Sequence, residues 1–200
     1  IRDRNKWYAN SETTGEHFGD LVVNDLINFS RKTFNLSWER EDTYIAGFSM
    51  GGYGALICGL RRPDIFSRII VMNAALNIKD FVLNAPEVVP AFDLYSRKNY
   101  LAVFGLEKVE DFIGSENDPD YLIARNTAEG RPEQKIFWST GELDALNGYN
   151  EKYWNIMKEA GYDVTIEIYP NRGHSYEALR DGIRGAVHWL PLDHFQDNLN

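Results

Sequence analysis

The chain has little cysteine, little excess of positive charge and no long apolar run, and each shortage excludes something. One cysteine, Cys58, stands among 200 residues. That rules out an intrachain disulfide and any multi-cysteine zinc site. Basic residues number 21 against 30 acidic ones, for a net charge of −9. No basic run exceeds Arg61-Arg62, so a face that tracks nucleic-acid phosphates is not expected. The acidic balance reads as a lectin-like or enzyme surface, or as charge that serves solubility alone. No stretch approaches the ~18 consecutive apolar residues of a membrane span. Internal repeats, low-complexity tracts and linkers are also missing. The chain opens on Ile1 and shows no signal peptide, which says little about export. The single cysteine favours a cytoplasmic setting, with secretion left open.

Aromatic residues, by contrast, make up 14% of the chain and apolar residues 44%, too many for a disordered state. A chain of this length buries about 70% of its unfolded surface, enough for a full core. Phe18, Val22, Leu26 and Phe29 recur at spacings of four, four and three, which predicts a one-faced helix over residues 16–34. Short apolar runs at 43–48, 68–73, 135–140 and 163–169 read as buried strands. Residues 50–60 read as a buried helix stopped by Pro63. Tyr149, Tyr153, Ile156 and Ala160 predict a further helix, as do Leu179, Ile183, Ala186 and Leu190. Strands alternating with helices imply an α/β fold, a mostly parallel sheet with helices on both faces. Residues 76–134 show no strand pattern and read as a lid-like insertion within a single domain spanning 1–200. The charged stretch at 108–120 reads as a solvated face.

Gly47-Phe48-Ser49-Met50-Gly51 matches Gly-x-Ser-x-Gly. Roughly 0.06 chance matches are expected in a chain of this size, so the pattern alone is not decisive. Its place between a predicted strand and a predicted helix is where a nucleophile elbow must lie. The tight turn excludes bulk, and Gly47, Gly51 and Gly52 supply that. Such a turn lifts the serine hydroxyl above the C-terminal edge of the sheet. There the helix N-terminus favours negative charge, and the Met50 N–H can bind an oxyanion. The structural alternative is a glycine-rich turn kept only for packing. A serine nucleophile needs a base. Of His17, His174, His188 and His194, only His174 follows a predicted strand in a loop, where sheet enzymes place their chemistry. The base needs an anion to orient it, and Asp144 lies just beyond the third predicted strand. Glu142 competes with it, and Asp163 and Asp181 fit less well. Asp144 could instead cap the helix that follows it. The order Ser, Asp, His along the chain is that of α/β-hydrolases.

The segment Ile45-Ala46-Gly47-Phe48-Ser49-Met50-Gly51-Gly52-Tyr53-Gly54-Ala55-Leu56 resembles the elbow of the putative-esterase family of α/β-hydrolases. That family includes tributyrin, feruloyl and acetylxylan esterases, S-formylglutathione hydrolases of the esterase D type and mycolyl transferases. Trp7-Tyr8-Ala9-Asn10-Ser11 resembles the segment before the elbow, and Pro63-Asp64-Ile65-Phe66 the Pro-x-x-Phe after it. Gly141-x-x-Asp144 and Gly173-His174-Ser175-Tyr176 resemble the acid and histidine motifs, with Tyr176 where the family often has Trp. The resemblance covers most of the chain outside 76–134. It implies Ser49 as nucleophile, Asp144 as acid, His174 as base and Met50 N–H as oxyanion donor. It also implies further strands upstream, one of whose loops gives the second oxyanion N–H. The chain is therefore expected to be a fragment, or to have had those strands cleaved or lost, which leaves the strand at 43–48 an exposed apolar edge. The missing donor would cost about 10²–10³ in kcat.

The expected activity is hydrolysis of short-chain carboxylic esters through an acyl-enzyme, with no cofactor or metal. Its partners are then small-molecule or carbohydrate-linked esters, with no nucleic acid and no membrane; a homo-oligomer is left open. Two other readings remain. One is an esterase for ferulate or acetate esters of plant cell walls, with Phe81, Phe92, Tyr95, Tyr100 and Phe104 stacking the phenolic ring or sugar, where the more frequent role of such aromatics is the core of the lid. The other is a binding module of esterase ancestry with impaired catalysis. Acyl and alcohol specificity are not legible in the residues.

Overall fold

The computed structural model describes residues 6–87 and 95–192. Its centre is a four-stranded sheet of β3 (Tyr44–Phe48), β4 (Arg68–Met72), β5 (Lys135–Gly141) and β6 (Asp163–Tyr169). The strands lie side by side in chain order, and all three pairings are parallel. Tyr44, Arg68, Lys135 and Asp163 share one row at the N-terminal edge. Parallel neighbours need crossovers, and helices supply them. Before the sheet come a two-residue ribbon, β1 (Asn10–Ser11) with β2 (Glu16–His17), and a helical segment. That segment runs as α1 (Phe18–Asp20), a π-helical stretch (Leu21–Leu26) and α2 (Ile27–Thr33).

The two-residue period of strands sends alternate side chains to opposite faces. On β4 and β5, Ile69, Val71, Ile136 and Trp138 join the large core cluster. That face is covered by α3 (Met50–Arg61), with α6 (Pro119–Ala128) behind it, and by α7 (Asn147–Glu159). Ile70, Met72 and Phe137 face the other way, against α8 (Tyr176–Trp189) and its Leu179, Ala186 and Trp189. Helix α3 exists because of this burial. Its four glycines cost about 3–4 kcal/mol of helix propensity relative to alanine. Tyr53, Leu56, Ile57 and Leu60 are wholly buried, and at about 1.5–3 kcal/mol each they more than offset it. Cys58 lies in the same buried row and acts as packing.

All four expected strands are present, with ends within one residue of the expected ones. The helix at 16–34 differs. Residues 16–17 belong to β2, and the residue turned fully inward is Val23 rather than Val22. Leu26 and Phe29 lie exposed. A π stretch advances less per residue than an α-helix, so the apolar stripe rotates away from the face that 3.6-residue spacing predicts. Among the described residues β3 pairs with β4 alone, as the expected edge.

Residues 76–134 hold no strand among the described residues. They contain α4 (Ile78–Leu83), α5 (Arg97–Phe104), a 3-10 turn (Val109–Phe112) and α6. Tyr100, Phe104, Phe112, Leu122 and Ile123 are part of the main core. The stretch at 108–120 is solvated at Lys108, Glu110 and Glu116, as its charges predict, but not throughout. Val109 and Phe112 are buried, and so is Asp118, which pairs with Lys79 Nζ at 3.1 Å. Asp120 also lies 2.6 Å from Lys79. No helix among the described residues is long and apolar enough to cross a membrane.

Candidate active site

Ser49 occupies the turn between β3 and α3 with φ 58° and ψ −121°, a region that is costly for a residue with a side chain. The turn is tight because a Cβ on Gly47 would sit 1.8 Å from the Gly51 carbonyl oxygen. A Cβ on Gly52 would approach Ala74 and the Met72 carbonyl to within 3.0 Å. Gly51 differs from the expectation. A side chain there would meet Tyr8 Oη at 3.6 Å, an ordinary contact, so Gly47 and Gly52 are the glycines the elbow requires. The strained conformation is fastened from several sides. Ser49 N–H donates to Met72 O at 2.9 Å, and Ser49 O accepts from Gly52, Tyr53 and Ala75 N–H. Met50 is the first residue of α3, and first-turn N–H groups have no acceptor within their own helix. An anion above Ser49 would face that N–H and the positive end of the helix dipole.

The loop after β6 brings His174 over the elbow. His174 Nε2 lies 2.8 Å from Ser49 Oγ, and His174 Nδ1 lies 2.8 Å from Asp144 Oδ2. The Asp144 side chain is fully enclosed, whereas that of His174 is 36% exposed. A carboxylate only accepts hydrogen bonds, so the imidazole proton sits on Nδ1 and Nε2 is left to accept from the serine hydroxyl. Phe48 packs against the imidazole with ring centroids 5.0 Å apart. Asp144 does not cap α7, whose N-cap position is Leu146 with no side-chain cap hydrogen bond; the aspartate acts in the turn before it. Its Oδ1 accepts from Leu146 N–H at 2.8 Å, shaping the entry to α7.

The competitors lie elsewhere. Glu142 Oε2 accepts from Asn171 N–H at 3.0 Å and so braces the histidine loop. Asp181 pairs with Arg172 at 2.7 Å, and Asp163 lies 3.8 Å from Lys135. His17 ends β2, 3.9 Å from Glu12, and His188 Nδ1 lies 2.8 Å from the Arg184 carbonyl on α8. His194 lies outside the described residues. Tyr176 opens α8 and is 86% exposed. Among the described residues no group of three or more His, Cys, Asp or Glu is arranged to hold a metal ion.

Two residues that the motifs do not single out are built into the site. Asn73, just past β4, donates from Nδ2 to Asp144 Oδ2 at 2.5 Å. Asn150 on α7, wholly buried, accepts from Ala74 N–H and Trp138 Nε1–H and donates to the Ala74 and Leu146 carbonyls. Their only sequence signal is an asparagine closing a predicted strand and another inside an amphipathic helix.

A cavity of about 250 Å³ opens beside Ser49, lined by Trp7, Met50, Ala75, Asn77, Phe81, Tyr95 and Leu146. The aromatic residues within 76–134 thus divide. Phe81 and Tyr95 reach the cavity and are half exposed, while Tyr100 and Phe104 are buried core. Phe92 lies outside the described residues.

Comparison with known proteins agrees with this architecture. The model of the family described as "Putative esterase" matches residues 2–192. An acetyl esterase from Caldicellulosiruptor saccharolyticus is 33% identical over 186 residues, which are 93% of this chain and 68% of that protein. Among solved structures, the fluorophosphonate-binding serine hydrolase FphF of Staphylococcus aureus superposes with a TM-score of 0.76 at 26% identity. The S-formylglutathione hydrolase FrmB of the same organism gives 0.75 at 25%. Each match covers 93% of this chain and 68% of the other. The chain belongs to the putative-esterase family and is a carboxylic ester hydrolase of the α/β-hydrolase fold.

Proposed function

We propose that Ser49 is the nucleophile, His174 the general base and acid, and Asp144 the carboxylate that orients and charges against the imidazole. The observation that carries this is the unbroken line of hydrogen bonds Ser49 Oγ, His174 Nε2, His174 Nδ1, Asp144 Oδ2 at 2.8 and 2.8 Å. Ser49 Oγ attacks the ester carbonyl as its proton passes to His174 Nε2. The tetrahedral oxyanion faces the Met50 N–H. Collapse expels the alcohol, which takes the proton back from His174. Water then attacks the acyl-serine, again giving its proton to Nε2, and the carboxylic acid leaves as the proton returns to Oγ. The Asp144 carboxylate stays ionised throughout and stabilises the imidazolium formed in each half.

The substrate in this reading is a short-chain acyl ester, an acetyl ester foremost. Support comes from the small cavity beside Ser49 and from the acetyl esterase relative. A second reading, an aromatic acyl group, is favoured by Trp7, Phe81 and Tyr95, whose rings line the same cavity and offer stacking faces. Ser49→Ala tests the nucleophile: turnover on p-nitrophenyl acetate is expected to fall by about 10⁴–10⁶. Retention of wild-type turnover would overturn the assignment. A panel of p-nitrophenyl acetate, butyrate and octanoate with methyl ferulate ranks the acyl groups. Highest kcat/KM on acetate supports the first reading, and highest on ferulate the second.

A further inference from the structure

We propose that Asn73 is a positioning residue for the reaction: by donating to Asp144 Oδ2 it fixes the direction in which that carboxylate faces His174. This rests on the roles given above to Ser49, His174 and Asp144. Two features at Asn73 are unfavourable on their own. Its backbone sits at φ 44°, in the left-handed region that a residue with a side chain adopts at a cost. Its Oδ1 is buried without a hydrogen-bond partner, in a side chain that is completely enclosed. Glycine would avoid the first, and an apolar residue the second. Strain of this kind persists where the surroundings impose it, and it clusters at functional sites.

The contact that accounts for both is the one with Asp144. The left-handed turn directs the side chain from the end of β4 to the carboxylate, where Nδ2 lies 2.5 Å from Oδ2. The amide cannot be reversed, because Oδ1 would then face a carboxylate oxygen at the same distance, acceptor against acceptor. The orphaned Oδ1 is thus the consequence of pointing Nδ2 at Asp144. The loop that carries Asn73 is tied to each part of the site. Asn73 N–H donates to Ser139 O at 2.8 Å on β5, and Ala75 N–H donates to Ser49 O at 2.9 Å at the elbow. Asn150 grips both polar groups of Ala74 at 3.0 Å and the Leu146 carbonyl at 2.8 Å.

Removal of the Asn73 amide leaves Asp144 held at Oδ1 by Leu146 N–H, and the carboxyl plane is then free to turn about that point. Oδ2 would move off the His174 Nδ1–H axis. His174 itself is placed by the Phe48 ring and by Glu142 under its loop, and neither of these bonds Asp144 Oδ2.

The test uses Asn73→Gly and Asn73→Asp beside Ser49→Ala. Glycine accepts φ 44° and removes the side chain, the amide with it. Aspartate keeps the shape and replaces the donor with an acceptor. In wild type and the Asn73 variants, active sites are titrated with a fluorophosphonate and kcat is expressed per titrated site, so that any unfolded fraction drops out; Ser49→Ala, which lacks the titrated hydroxyl, is expressed per folded protein. Asn73→Gly is expected to lower kcat by about 10–100-fold, with KM within about twofold of wild type. Acylation and deacylation should slow together in single turnovers, because His174 serves both. Asn73→Asp should lose more. A residue that only holds the fold would lower the titrated fraction or the thermal midpoint and leave kcat per site unchanged, and that result overturns the proposal. If Asn73→Gly turns over like wild type while Ser49→Ala is dead, Asn73 loses its role and the nucleophile keeps its own. If Ser49→Ala also turns over normally, the underlying reading fails.

Discussion

Replacing Asp144 by asparagine exchanges one oxygen for an NH₂ group, and the surroundings leave that group no good place. Three donors converge on the carboxylate: His174 Nδ1–H and Asn73 Nδ2–H on Oδ2, and Leu146 N–H on Oδ1. An amide has one oxygen for these two positions. With the oxygen at the Oδ2 position, His174 and Asn73 are satisfied, and the new NH₂ is pressed against Leu146 N–H. With the oxygen at the Oδ1 position, the NH₂ faces His174 Nδ1 and Asn73 Nδ2. The imidazole must then accept at Nδ1 and carry its proton on Nε2, where it can no longer take one from Ser49. The first orientation leaves two donors opposed, and the second does the same at Asn73, so stability should fall by about 1–3 kcal/mol either way. Catalysis loses the charge that stabilises the imidazolium in the first case and the working tautomer in the second. The loss of kcat should reach about 10⁴-fold, or roughly 5.5 kcal/mol of transition-state free energy. Steady-state hydrolysis of p-nitrophenyl acetate measures the rate, and urea unfolding the stability. A variant with kcat within about tenfold of wild type would refute the assigned role of Asp144, since either orientation costs more than that.

Two further predictions concern the scaffold. Gly52→Ala puts a methyl group 2.8 Å from Ala74 Cβ and 2.9 Å from its Cα, on the loop that carries Asn73. A loss of about 1–3 kcal/mol is expected together with a lower kcat. Normal values for both, by urea melts and kinetics, would show that the elbow and this loop are less rigidly joined than described. Lys79→Met strips the cation from Asp118, whose side chain is 2% exposed. Gly114 N–H and Asp120 N–H still donate to Asp118, so the cost should be about 2–3 kcal/mol, less than for a wholly uncompensated buried charge. An unchanged unfolding midpoint would count against a structural role for this pair, and kcat should be little affected.

The local parts of this enzyme were legible from residue order. A strand, a cramped glycine turn and a helix with one face to bury are contiguous in the chain, so the elbow at Ser49 and the strands at 43–48, 68–73, 135–140 and 163–169 declare themselves by period and composition. The loops carrying Asp144 and His174 follow from the rule that parallel sheets gather chemistry at their C-terminal edge. What the order of residues could not show is which faces and which distant amides would meet. The stripe of Phe18, Val22, Leu26 and Phe29 looked like a buried face until a π turn rotated it. Within the charged stretch at 108–120, nothing distinguished the buried Asp118 from its solvated neighbours until Lys79 reached it from 39 residues away. Gly51 looked as necessary as Gly47, and only the neighbouring backbone distinguishes them. Asn73 and Asn150 carry no periodic signal at all. Their importance lies in hydrogen bonds spanning 71 and 76 residues. Pairing of that kind depends on how the packed layers bring separate loops to one point. The chain therefore specified the elements and the chemistry-bearing side chains, and the tertiary structure alone decided what holds them in line.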